Sequence, residues 1–134
     1  MAIIIDADVI IKGERGAFDL RGWLTFQSDT ELQIASITVA ELWHGVERAS
    51  LPYRLRRERY IRSVIERLAV LPYTESTALR HAQIWTTLEA SGRVIGPYDL
   101  ILAATALEHK SAVATFNKRH FECVEGLRVI EPTA

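Results

Sequence analysis

Along this chain, short apolar runs alternate with stretches in which apolar residues recur at helical spacing. Ile3, Ile4 and Ile5 form an unbroken β-branched run, as a strand buried on both faces requires. The following "VIIKGERGAFDLRGWLTF" reads as one or two short helices punctuated by Gly13, Gly16 and Gly22. "ELQIASI" is a second strand, and a helix begins near Thr38 in "TVAELWHGVERA". Beyond Pro52, Tyr60, Ile61, Val64, Ile65 and Leu68 make one apolar helical stripe. "LAVLPY" is a third strand, followed by a helical stripe of Ala78, Ala82, Trp85 and Leu88 that ends before Gly92. Pro97 suits a first helical turn, so "GPYDLILAATALEHK" predicts a helix reaching His109. "AVATF" and "LRVIE" supply a fourth and a fifth strand.

Strands alternating with helices imply an α/β chain with a parallel sheet. At 134 residues the expectation is one domain over 1–134, with no linker, repeat or low-complexity segment. In such folds ligands bind outside the carboxyl ends of the strands, and acidic residues gather there. Asp6 and Asp8 end the first apolar run. One aspartate serves as a helix N-cap, and the second is surplus to that need. Glu41 follows Thr38 by three residues, a spacing that also fits a capping box. Asp99 falls in the turn after Pro97, where a carboxylate suits the helix dipole. Each local reading is ordinary. Together, Asp6, Glu41 and Asp99 are each expected where a strand gives way to a helix, so a parallel sheet would collect them at one edge. Crowded carboxylates resist ionisation unless a cation joins them, and oxygen-only ligands suit Mg²⁺ or Mn²⁺.

"IIIDADVII", "SITVAELWHGVERA", "IGPYDLILAATALEH" and the later "ATFN…F" occur in an order and at spacings that resemble the PIN domain, in particular the VapC toxins of bacterial toxin–antitoxin pairs. The resemblance spans nearly the whole chain. It implies a three-layer α/β/α sandwich around a four- or five-stranded parallel sheet. It also implies a Mg²⁺- or Mn²⁺-dependent endoribonuclease that leaves 5′-phosphate and 3′-hydroxyl ends, inhibited by a small antitoxin of the VapB kind, and a homodimer. The family's three core acids map onto Asp6, Glu41 and Asp99; Asp8 occupies a nearby position where small polar residues vary. In "TFNKRHF", Asn117 matches a polar position of the pattern, while His120 stands where the family often carries an acid. An imidazole there would favour Mn²⁺ over the harder Mg²⁺.

Two rivals follow from the same residues. A non-catalytic PIN-like module that binds RNA or protein would account for His120. An apolar strand ending in Asp-x-Asp is also the nucleophile motif of haloacid-dehalogenase-like phosphatases, but those need a lysine and a later acidic pair, and the only lysines are Lys12, Lys110 and Lys118.

The remaining composition narrows the picture. Cys123 is the single cysteine, which removes an internal disulfide and a thiolate zinc cage. Neither a secretory signal nor a bilayer-spanning run is visible, so a cytoplasmic protein with no membrane partner is expected. No phosphate-binding glycine loop or nucleophilic-serine motif occurs. The net charge of −1 hides seven arginines between Arg48 and Arg67, either a solvated helix face or a surface for RNA or an acidic partner. Trp23, Trp43 and Trp85 read as core or interface anchors.

Overall fold

The computed structural model describes residues 1–133. Its elements in order are β1 (Ala2–Ile5), α1 (Ala7–Glu14), α2 (Leu20–Phe26), β2 (Glu31–Ala35), α3 (Ser36–Arg48) and α4 (Leu51–Ile65). They continue with β3 (Ala69–Leu71), α5 (Glu75–Ala90), α6 (Pro97–His109), β4 (Ala112–Ala114), a 3₁₀ turn (Lys118–His120) and β5 (Val129–Ile130). All pairings are parallel, in the order β3-β2-β1-β4-β5, with Ile3 beside Leu32 and Ala112 in the centre.

The pleat of β1 divides the core. Ile3 and Ile5 point into a cluster with Val9, Ile10, Trp23, Leu42, Val46, Ile61 and Val64, which places α1 to α4 on one face. Ile4 points the other way, into a cluster with Leu88, Leu100, Leu102, Ala103, Val113 and Phe121, which places α5 and α6 on the opposite face. Three layers result because every residue of this strand needs cover on its own side. Ala103, Ala104 and Ala106 are fully buried on α6, and side chains this small let the helix lie close to the sheet.

Several boundaries differ from the sequence expectation for local physical reasons. The second strand stops at Ala35 because Ser36 already belongs to α3. The capping box does not form: Ala35 is the N-cap of α3 without a side-chain bond, and Thr38 is fully buried with its hydroxyl unpartnered. Gly13 does not end a helix. It lies inside α1, where a Cβ would come within 2.7 Å of Leu20 Cβ and 2.6 Å of the Tyr60 hydroxyl, which donates to Ile10 O. On α5 the buried stripe is Thr77, Ile84 and Leu88, whereas Trp85 stands outside it, stacked on His81. Trp23 is buried in the core, and Trp43 lies under the Arg62 guanidinium.

Candidate metal centre at the carboxyl edge of the sheet

Asp6 is the residue at which β1 becomes α1. Its backbone amide still bonds Ala114 O, as in a strand, while its side chain caps the helix by accepting from Ala7 N at 2.8 Å. The N-cap reading therefore holds, but it uses only one oxygen. The other accepts from the Thr115 hydroxyl at 2.8 Å, in a setting where both residues are buried. Thr115, the first residue after β4 and the opening residue of "TFNKRHF", has no role assigned to it from the sequence; its signal is a hydroxyl placed directly at the end of a central strand.

Asp8 lies in the first turn of α1. It accepts from Phe116 N at 2.9 Å and Asn117 Nδ2 at 3.0 Å, so it ties down the segment leaving β4. Asn117 N in turn donates to Thr115 Oγ1. Asp99 occupies the first turn of α6, delivered there by Gly96 and Pro97, and its Oδ2 lies 2.9 Å from His120 Nδ1. Residues 115–120 thus form a strap across the sheet edge that offers donors to Asp6, Asp8 and Asp99. Glu41, half-buried in α3, receives no hydrogen bond and no ion pair among the described residues.

The acids feel one another. Asp6 is pushed from 3.8 up to about 6, first by burial, then by the charges of Asp8 and Asp99, against the pull of its Thr115 and Ala7 hydrogen bonds. Glu41 is pushed from 4.5 up to about 7 by burial and by Asp6, Asp99 and Asp8, with nothing pulling back. Burial also raises Asp8, opposed by the Phe116 amide, Lys12, the Thr115 hydroxyl and the Val9 amide. An edge at which acids from different elements suppress each other's ionisation is short of positive charge.

Among the described residues, no three His, Cys, Asp or Glu side chains stand as a ready-made cage for a metal ion. The strap explains this: three of the four acids spend oxygens on its donors, and like charges keep apart. The donor chemistry nevertheless fits a hard divalent cation, because the converging groups are carboxylates and the one without any partner, Glu41, stands among the others' charges. The acids line none of the described clefts. A groove of about 610 Å³ between α5 and residues 122–125 lies elsewhere.

Residues 3–127 match the model of the PIN domain family, and the chain belongs to that family. PIN-domain nucleases are in general dependent on divalent metal. The chain is 34% identical over 138 residues to VapC ribonuclease Y4jK of Sinorhizobium fredii, covering 97% of this chain and 96% of that protein. It is 36% identical over 95 residues to the tRNA(fMet)-specific endonuclease VapC of Shigella flexneri, covering 71% and 70% of the two chains. The crystal structure of DNA-bound VapBC from Salmonella typhimurium superposes with a TM-score of 0.89 at 28% identity, covering 98% of both chains. The parallel sheet between helix layers is therefore the architecture of this family, as the sequence implied. Among the described residues, no helix is long and apolar enough to cross a membrane.

Proposed function

We propose that this chain is a metal-dependent endoribonuclease of the VapC kind, acting as one domain over residues 1–134, held inactive by a small VapB-like antitoxin and working in the cytoplasm. The observation that carries the reading is the convergence of Asp6, Glu41 and Asp99 on one strand edge, with Asp6 and Glu41 raised by burial and by their neighbours' charge. Supporting it, relatives that cover the chain almost end to end are named ribonucleases, and its structural neighbours are toxin–antitoxin complexes.

Asp6, Glu41 and Asp99 would hold the ion, Mg²⁺ or Mn²⁺, and Asp8 and Asn117 would hold the strap. A bound divalent ion supplies an activated water at neutral pH and charge stabilisation at the scissile phosphate. The protein contributes placement. Thr115 fixes Asp6, and Lys12, which lies over the Phe116 ring and acts on Asp8, places a cation beside the acids to attract the RNA backbone. No side chain acts as a nucleophile. Water adds to phosphorus as the bond to the 3′-oxygen breaks, leaving a 3′-hydroxyl and a 5′-phosphate.

The antitoxin surface includes α4. Arg54, Arg57 and Arg62 are engaged with Glu47, Glu14 and Glu58, whereas Arg56 rests over Tyr53 and Arg59 has no ion pair among the described residues. Beside these two cations, Leu51, Tyr53 and Leu55 are exposed. Mixed apolar and cationic character of this kind fits an amphipathic acidic segment. Inducing the chain alone in a bacterial culture should arrest growth, and co-expressing the neighbouring reading frame should restore it. Unimpaired growth, with the protein demonstrably present, would count against the toxin reading.

A further inference from the structure

Resting on the metal-dependent reading above, we infer that His120 is a positioning residue for Asp99 and stays outside the metal's own ligands. Its Nδ1 lies 2.9 Å from Asp99 Oδ2. An ionised carboxylate only accepts, so Nδ1 carries the proton and donates it. The ring nitrogen nearest the acid is thereby spent on a hydrogen bond. Nε2, the nitrogen left to bind a metal, stands on the far side of the ring from the oxygen it would have to accompany.

What fixes the ring is the strap. Asn117, just before the 3₁₀ turn, is held by Asp8, and His120 N donates to Asn117 O at 3.0 Å. On the other side Phe121 is fully buried in the cluster beneath α6. The backbone around His120 is anchored at both ends, so a side chain that is itself 57% exposed still reaches one fixed partner. Asp99 is reached in the first turn of α6, and its Oδ1 has no hydrogen-bond partner among the described residues. Donation to Oδ2 selects one carboxylate orientation and leaves Oδ1 free for a cation, which is how an outer hydrogen bond tunes a metal ligand. The ligand set then remains all oxygen.

The test is Mn²⁺ titration, followed by electron paramagnetic resonance, of the parent, His120→Ala and His120→Asn, with pulsed measurements of nitrogen coupling on the bound ion. Melting of all three in EDTA should coincide, because the side chain is exposed. Removing such an outer partner typically costs roughly 10–100-fold in metal affinity, and the exposed ring sets the expectation at about tenfold weaker binding for His120→Ala. His120→Asn, whose amide nitrogen can take the place of Nδ1, should recover most of it, and the parent should show no directly bonded nitrogen. Equal affinities in parent and His120→Ala, no recovery with Asn, or nitrogen bound directly to Mn²⁺ would each overturn the inference while leaving the metal-dependent reading intact. A parent that takes up no Mn²⁺ would overturn both.

Discussion

Replacing Glu41 with glutamine should stabilise the metal-free protein at neutral and alkaline pH. Glu41 is half-buried, makes no hydrogen bond among the described residues, and is pushed from 4.5 up to about 7 by burial and by Asp6, Asp99 and Asp8. A carboxyl group whose folded value exceeds its unfolded one binds its proton more tightly in the native state. Its contribution is therefore neutral below about pH 4.5 and turns against the fold as pH climbs from there to about 7. The full displacement corresponds to about 3 kcal/mol at roughly 1.4 kcal/mol per pKa unit. Because the side chain is still partly in solvent, screening reduces this to about 1–2 kcal/mol. Glutamine keeps the shape and removes the charge. Urea unfolding in EDTA should therefore show Glu41→Gln more stable than the parent by that amount at pH 8 and equal to it near pH 4. Saturating Mn²⁺ should reverse the order at pH 8, because binding to the native state stabilises only the chain that keeps its ligand. A variant less stable than the parent at pH 8 in EDTA would refute the argument that these carboxylates repel one another.

Phe121→Ala should cost about 3–5 kcal/mol in urea unfolding, as expected for emptying a large buried site, since Phe121 is fully buried where it anchors the strap; a loss below about 1 kcal/mol would mean the strap is held elsewhere. Reversing Arg56 and Arg59 to glutamate should weaken antitoxin binding, chiefly through slower association and a smaller salt dependence, and should shift stability by no more than about 0.5 kcal/mol. Unchanged affinity by calorimetry would remove α4 from the interface. Light scattering of the isolated chain at micromolar concentration should give the mass of a dimer, and a monomer alone would contradict the expected self-association.

How far the sequence could be read depended on the range of the interactions involved. β1 was plain because Ile3, Ile4 and Ile5 need cover on both sides, and that demand alone implies helix layers above and below. α6 was plain because Pro97 opens it, although its close is set by Lys110 in a left-handed conformation, where glycine would be usual. Of the stripe expected on α5, Leu88 is buried and Trp85 is exposed: Ala78, Ala82 and Trp85 match helical spacing with Leu88 as well as Ile84 does, and tertiary packing alone chooses between them. Asp6 and Glu41 are legible because they sit at a strand-to-helix junction or just beyond it, whereas Asp99 follows α5 with no strand before its helix and is marked instead by Pro97, which opens α6. Their partners are not legible: Thr115 and Asp6 are 109 positions apart, and His120 meets Asp99 through a turn whose direction depends on the burial of Phe121. The capping box at Thr38 and Glu41 is the reverse case, a sound local pattern left unused because the helix begins earlier, which leaves Glu41 free for the site.

The most direct test of the central claim is cleavage of RNA by the purified chain with Mg²⁺ or Mn²⁺, beside Asp6→Asn, Glu41→Gln and Asp99→Asn, each first shown to be folded. The account expects metal-dependent cleavage by the parent, its abolition by EDTA, and loss of activity in all three variants. Cleavage at the parent rate by any one of them, or by the parent in EDTA, would contradict the assignment of these carboxylates as the metal centre.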